Sequence, residues 1–179
     1  MPKIENSSRI DGVQLVTFDV FGDARGRFRE TFRQEWFPQQ SWEKMQINMS
    51  ESTARVLRGL HYHFQQIDYW FVVAGHIRAA LYDLRPNSAT RGAAQTIDLG
   101  GEAQKGLFIP IGVAHGFASL TDATLIYIVD NYYTGGDEYG VAWNDPALGI
   151  HWGIESPIVS ARDSANPLLE DIPPEAMPR

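Results

Sequence analysis

The sequence predicts an all-β protein, and three observations support this. Helical periodicity is nearly absent from the 179 residues, and short alternating runs are separated by Gly, Asp, Asn and Pro. Aromatic residues, which favour strands, make up 12% of the chain. About ten such runs without an internal repeat indicate two packed antiparallel sheets or a jelly-roll barrel. A barrel of this kind encloses a cavity, so inward-facing side chains are the candidate site residues.

The alternating runs predict ten strands. In chain order these are residues 13–18, 27–32, 46–50, 56–63, 69–74, 76–84, 95–99, 106–109, 114–120 and 124–133. A turn over 22–26 joins the first two, and one helical turn is expected over 33–40, ended near Pro38. Gly75 marks a tight turn or a bulge. The pattern breaks after residue 134, and we expect a loose tail from about Asp171.

Composition limits the classes of function. The length supports one domain over residues 1–179. A formal net charge of -7 argues against a nucleic-acid partner, and the lack of cysteine excludes disulfides and thiolate sites. No apolar run has the length of a membrane span, and the first residues lack the apolar core of a signal peptide. We therefore expect a cytoplasmic protein with no membrane partner.

Two short motifs, over residues 58–63 and 110–117, place three of the five histidines on predicted strands. Imidazole transfers protons near neutral pH and also binds metals, so the motifs alone leave both roles open. In a regular strand His61 and His63 share a face, while Arg58 points the other way. Arg58 reaches the same pocket only if Gly59 bends the strand or hosts a bulge.

From about residue 13 to 163 the chain resembles the dTDP-4-dehydrorhamnose 3,5-epimerase family, a branch of the cupins. The resemblance is carried by residues 21–26, 46–50, 56–62, 82–85, 109–110, 114–117, 131–133, 143–146 and 148–150. It implies a cupin-type jelly roll that needs no cofactor. It also implies a homodimer in which an N-terminal strand crosses to the neighbour, with residues 27–32 near the partner's pocket.

The resemblance further implies epimerisation of a nucleotide-linked 4-keto-6-deoxy sugar, with dTDP as the expected carrier, at C3, C5 or both. In that reaction His61 is the base, Asp163 orients it and Tyr127 is the acid on the opposite face of the sugar. Arg58 and His115 match positions that hold the substrate and its developing charge. The remaining substrate-binding positions are Arg25, Phe28, Glu30, Gln46, Asn48 and Tyr133.

The chain departs from the family at two positions of this pocket. A lysine that helps to hold the enolate oxygen aligns with Asp68, and a common Gln aligns with His63. The spacing His61, His63, Asp68 and Gly75 also fits the first metal motif of metal-binding cupins, and the segment ending at His115 resembles the second. A metal site of His61, His63, Asp68 and His115 is therefore an alternative, as is a barrel that binds a sugar nucleotide without turning it over.

Overall fold

The computed structural model describes residues 2–178, which form two facing antiparallel sheets. The first sheet has the strand order β1-β2-β10-β7-β12-β5, and the second has β13-β6-β11-β8-β9, with β14 parallel to β6. The strands are β1 Lys3–Asn6, β2 Gln14–Thr17, β3 Phe21–Asp23, β4 Gly26–Phe28, β5 Gln46–Ser52, β6 Val56–Tyr62, β7 Asp68–Ala74, β8 His76–Asp83, β9 Ala94–Gly100, β10 Lys105–Ile109, β11 Val113–Ser119, β12 Ala123–Val129, β13 Tyr139–Gly140 and β14 Ile158–Val159. The prediction of an all-β, cupin-type jelly roll is confirmed.

The little helix consists of single turns. The α-helix α1 spans Ala161–Ser164, and 3-10 turns cover Gln34–Trp36, Pro146–Leu148, Leu169–Asp171 and Pro174–Ala176. Strands β3 and β4 pair only with each other and form a separate hairpin. Within residues 2–178, no helix combines the length and the apolar character needed to cross a membrane.

On each central strand, alternate side chains pack into two different apolar layers. On β7, Trp70 and Val72 face the core between the sheets, whereas Tyr69 and Phe71 face outward. The outward side chains of the first sheet are covered by a segment that includes Phe37. The outer face of the second sheet is covered by the C-terminal segment. Strands covered on both faces explain why β7, β8 and β11 are nearly continuous buried runs.

The second sheet contains a bulge at Gly59, which is one of the two ways in which the sequence allowed Arg58 to reach the pocket. Strand β6 pairs with β11 at His61↔His115 and Arg58↔Phe117, so three steps of β6 oppose two steps of β11. Gly59 has a φ of +117°, and a Cβ there would stand 2.6 Å from the Cα of Gly116. The extra residue turns Arg58 onto the face that carries His61, which confirms the bulge.

Three predictions about elements were wrong. The strand expected over 27–32 ends at Phe28, and the strand expected over 124–133 ends at Val129. The tail from residue 171 is packed and not loose, because Ile172 is buried and Ala176 accepts a hydrogen bond from the Tyr62 hydroxyl at 2.8 Å. The proline-rich C-terminal segment therefore packs in a fixed position over the second sheet, and Pro174 begins one of its single helical turns.

Candidate active site

A cavity of about 460 Å³ lies between the two sheets at one end of the barrel. Its walls include seven predicted site residues, namely Arg58, His61, His115, Tyr127, Gln46, Asn48 and Tyr133. Two further residues from the proposed metal set, His63 and Asp68, line the same cavity. Inward alternation on five strands, β5, β6, β7, β11 and β12, brings most of these side chains together, and His63 and Tyr133 join them from the loops after β6 and β12.

His61 is paired with a carboxylate that is distant in sequence. Its Nε2 lies 2.6 Å from Oδ1 of Asp163, 102 residues further along the chain. Asp163 is 4% exposed, whereas the His61 side chain keeps 25% exposure at the cavity wall. Because the carboxylate only accepts, Nε2 carries the hydrogen and Nδ1 keeps its lone pair. This arrangement fixes the tautomer of His61 and leaves Nδ1 able to accept a proton.

The Asp163 carboxylate is held from several sides. Its residue lies in α1, where the Ser160 hydroxyl caps the helix by accepting a hydrogen bond from the Asp163 amide at 3.0 Å. The amide of Gly59 donates to Oδ2 at 3.2 Å. Burial opposes the charged form, but the hydrogen bonds from His61 and Gly59 outweigh it and lower the pKa of Asp163. The carboxylate therefore stays ionised beside His61 at neutral pH.

Tyr127 faces His61 from the other sheet. It lies on β12, between the inward-facing Leu125 and Val129, and lines the same cavity. Burial, with a smaller contribution from the negative charge of Asp68, raises the pKa of the Tyr127 phenol. The hydroxyl consequently keeps its proton at neutral pH, as a proton donor requires.

The open side of the cavity carries neutral polar groups and a guanidinium. Gln46 donates to Asn48 Oδ1 at 2.8 Å and accepts from the Tyr133 amide at 3.1 Å, which connects β5 to the loop after β12. Arg58 donates to the Ser52 hydroxyl at 3.1 Å and remains exposed. These groups can contact a ligand that enters from solvent.

The three residues His63, Asp68 and His115 form a buried cluster beside the His61 pair. Oδ2 of Asp68 lies 3.8 Å from Nε2 of His63 and 3.7 Å from Nε2 of His115. Burial lowers the pKa of His115 to about 4, so its imidazole is neutral at pH 7. The four-residue metal set suggested by the sequence is wrong in one member, because His61 turns its Nε2 to Asp163 and is absent from the cluster.

Three predicted substrate-binding residues lie outside this cavity. Arg25 and Phe28 belong to the β3–β4 hairpin and line a separate surface depression, and Phe28 and Glu30 line another. Arg25 is occupied by Asp23, with Nη2 and Oδ2 2.6 Å apart.

The cavity also contains residues that the sequence did not single out. Trp70 meets the His115 ring edge to face, with centroids 5.3 Å apart. Arg162 and Glu138 form an ion pair of 2.9 Å at the rim. Trp70 could have been predicted from the sequence as a cavity residue, because alternation on β7 places it on the same face as Asp68. Glu138 lies in the loop before β13 and Arg162 in the single turn of α1, and neither segment is long enough for periodicity to indicate which way a side chain points.

Comparisons with known proteins identify the family of this chain. A family model described as dTDP-4-dehydrorhamnose 3,5-epimerase matches residues 7–171. The enzyme of that name from Shigella flexneri is 37% identical over 163 residues, covering 87% of this chain and 90% of the relative. The spore coat polysaccharide biosynthesis protein SpsL of Bacillus subtilis is 37% identical over 155 residues, covering 82% of this chain and 98% of the relative.

Solved structures show the same similarity. A dTDP-6-deoxy-D-glucose-3,5-epimerase from Legionella pneumophila, in complex with dTDP-4-keto-L-rhamnose, superposes with a TM-score of 0.92 at 33% identity, covering 100% of this chain and 98% of that one. A 3'-monoepimerase from Streptomyces bikiniensis, in complex with dTDP-quinovose, gives 0.90 at 31% identity, covering 97% and 92%. By sequence and by fold, the chain belongs to the dTDP-4-dehydrorhamnose 3,5-epimerase family.

Proposed function

We propose that this protein epimerises a dTDP-linked 4-keto-6-deoxy sugar in deoxysugar biosynthesis, by removing and returning a proton next to the ketone. The observation that carries the proposal is the 2.6 Å contact between His61 and Asp163 on the wall of the cavity that Tyr127 also lines. A base with an oriented imidazole and a protonated phenol on the facing sheet are the two groups that such a reaction requires.

The acidic hydrogens of the substrate define the first step. C3 and C5 both flank the C4 ketone, so loss of a proton from either carbon gives an enolate delocalised onto O4. Nδ1 of His61 takes the proton, and Asp163 stabilises the imidazolium that results. Asp163 is a positioning residue here, because it acts through His61 and does not reach the sugar.

Proton return from the opposite face completes the inversion. Tyr127 lies on β12 of the first sheet, whereas His61 lies on β6 of the second, so a sugar ring between the sheets presents one face to each. The Tyr127 hydroxyl donates its proton to the carbanionic carbon, which inverts the centre. If the proton returns from His61, the original configuration is restored.

The charge that develops on O4 needs a donor, and Arg58 is the cation of β6 that lines the cavity. His115 is a poor donor in its neutral form. Its Nδ1 lies 2.9 Å from the Val113 carbonyl oxygen, so Nδ1 carries the hydrogen and Nε2 presents a lone pair. Among the described residues that line the cavity there is no lysine, the residue type that the family resemblance implies at the position of Asp68.

We further propose a homodimer in which the β3–β4 hairpin reaches the partner's cavity. Phe21 and Phe28 are cross-strand partners on this hairpin and are 63% and 66% exposed. The edge strand β5 also exposes apolar side chains, with Ile47 at 58% and Met49 at 64%. Exposed apolar side chains at an edge strand favour burial against a second copy, and the hairpin would bring Arg25 to the diphosphate and Phe28 to the base.

Deuterium exchange tests the proposed reaction. The protein is incubated with dTDP-4-keto-6-deoxyglucose in D₂O, and C3 and C5 are followed by NMR. We expect deuterium uptake that disappears in His61→Asn and persists in the matched variant His151→Asn, whose side chain is exposed. Binding of the substrate without uptake would contradict the proposed reaction and support the non-catalytic barrel.

A further inference from the structure

The buried cluster of His63, Asp68 and His115 has the geometry of a set of metal ligands. All three residues are buried, and their nearest ligand atoms lie within 4.8 Å of one another. The distances of 3.7 and 3.8 Å between Asp68 Oδ2 and the two Nε2 atoms are too long for hydrogen bonds. They are within a few tenths of an ångström of the roughly 3.4 Å that separates ligands around a tetrahedral zinc ion.

Each of the three ligands is oriented by a second group. Nδ1 of His63 contacts the carbonyl oxygen of Asp137, and Nδ1 of His115 contacts that of Val113. Since a carbonyl oxygen only accepts, both Nδ1 atoms carry hydrogens and both Nε2 lone pairs remain available. The indole of Trp70 donates to Oδ1 of Asp68 at 3.1 Å, and Oδ2, which accepts from the Gln66 amide at 3.3 Å, lies toward the imidazoles. Such outer partners typically hold metal ligands in place.

Within the described residues, the buried Asp68 carboxylate also has no Lys or Arg side chain as an ion-pair partner. Asp68 is 3% exposed, and its hydrogen-bond donors are neutral, namely the Trp70 indole and, at 3.3 Å, the Gln66 amide. A buried carboxylate normally has a cationic partner or a metal, because burial of an unpaired charge is costly.

We propose that His63, Asp68 and His115 bind one divalent transition-metal ion, with the remaining coordination positions open to the cavity. Two imidazoles and one carboxylate suit Zn²⁺, Fe²⁺, Mn²⁺ or Co²⁺, whereas Ca²⁺ and Mg²⁺ prefer oxygen ligands throughout. His61 is not a ligand, so the metal and the His61–Asp163 pair coexist in one cavity. Resting on the proposed function, the ion supplies the positive charge toward O4 that the family lysine supplies elsewhere.

Metal binding is measured on protein without a histidine tag, stripped with a chelator and reloaded separately with Zn²⁺, Mn²⁺, Fe²⁺ under anaerobic conditions, or Co²⁺. We expect about one tightly held ion per chain after gel filtration, and visible absorption bands in the Co²⁺ form. Asp68→Asn and His63→Gln should each weaken binding about 100-fold or more. His151→Gln is the matched control that removes an exposed histidine, and His61→Asn should keep the metal.

Thermal unfolding with chelator shows whether each variant is folded before its metal binding is compared. The proposal is overturned if wild-type protein takes up none of the four ions, or if folded Asp68→Asn and His63→Gln bind as tightly as wild type. It is also overturned if His61→Asn loses the metal. Deuterium exchange distinguishes failure of the metal proposal from failure of the proposed function. If metal-free protein catalyses exchange, only the role of the metal is contradicted. If the protein binds the metal but catalyses no exchange, only the epimerase activity is contradicted.

Discussion

The backbones of Gly59 and Gly116 lie against each other at the bulge where β6 pairs with β11, so closely that a Cβ on residue 59 would stand 2.6 Å from the Gly116 Cα and 2.8 Å from the His115 carbonyl oxygen. This contact fixes the bulge that turns Arg58 and His61 onto one face. It also lets the amide of Gly59 donate to Asp163. One glycine therefore connects the packing of the second sheet with the position of the His61–Asp163 pair.

Replacement of Gly59 by Ala should destabilise the fold and the site together. The new methyl group meets backbone atoms, and φ is +117°, so we expect a loss of about 3 kcal/mol or more in the free energy of unfolding. Urea denaturation measures it. Gly101→Ala is the control, because Gly101 also has a positive φ but nothing within 4 Å of its Cβ position, and it should lose only about 1 kcal/mol. Equal losses in the two variants would contradict the steric argument.

Asp163→Asn should reduce turnover without weakening substrate binding. The carboxamide cannot hold the imidazolium as the carboxylate does, so we expect kcat for deuterium exchange to fall about 10²- to 10⁴-fold with KM nearly unchanged. Asp171→Asn, at an exposed position, serves as the control. A loss confined to KM would show that Asp163 supports the cavity and not the base.

Tyr127→Phe should separate proton removal from inversion. The base is intact in this variant, so deuterium still enters at carbons that flank the ketone, while the inverted product falls about 10²-fold or more because the opposite acid is missing. NMR measures both in one sample, with Tyr132→Phe as the exposed control outside the main cavity. Because the pKa of Tyr127 is raised, inversion by wild type should not decline through this group up to about pH 10. Unchanged inversion in Tyr127→Phe would remove the tyrosine from the mechanism.

Asp83 should make folding stability depend on acid pH. Its side chain is buried, and although burial opposes its charge, hydrogen bonds from Arg85, Ser88 and Thr90 lower its pKa to about 2. A lowered pKa contributes stability above the ordinary value of 3.8, and that contribution is lost as pH falls through about 2. At neutral pH the lowered pKa of Asp83 contributes about 2 kcal/mol to the free energy of unfolding.

Urea denaturation of wild type and Asp83→Asn at pH 7 and near pH 2 measures this contribution. The difference between the two proteins should be large at pH 7 and shrink at the lower pH. Asp98→Asn is the comparison, since Asp98 pairs with Arg78 at the surface and should contribute less than about 1 kcal/mol. A difference that is the same at both pH values would show that the charge of Asp83 is not responsible.

Mixed dimers test whether the hairpin completes the partner's site. Arg25→Ala and His61→Asn chains are each expected to be nearly inactive, but co-expressed they should recover roughly a quarter of wild-type exchange, because one site of every mixed dimer is intact. Arg58→Ala mixed with His61→Asn is the control, since these two residues share one chain's cavity. Recovery in the control, or none in the Arg25 mixture, would contradict the shared site.

The sequence predicted the sheets better than the site. Alternation along β7 and β12, together with Gly59, was enough to place inward faces and a bulge. Local pattern could not connect His61 with Asp163, because 102 residues lie between them; only the family resemblance predicted that pair. The local pattern also could not show which way the ring of His61 turns. The sequence therefore allowed both a metal ion and the Asp163 carboxylate as the partner of that ring.

The errors at the strand ends have a different physical cause. Phe32 was assigned to a strand by its apolar character, but it packs against Phe37, Trp42 and Tyr69 without a ladder partner. Residues 171–178 appeared loose because prolines interrupt every periodic pattern. Their order comes from contacts with a distant sheet, such as the one between Ala176 and Tyr62, which no local window contains.

The place of α1 late in the chain has a consequence for synthesis of the protein. Strand β6 with its imidazole leaves the ribosome early, but the carboxylate that directs it arrives about a hundred residues later. A nascent chain can close most of its barrel and still be unable to act on a ketosugar. A protease or a premature stop that removes residues beyond 160 would take Asp163 away from His61 and would also uncover the apolar outer face of the second sheet, where Ile172 is buried.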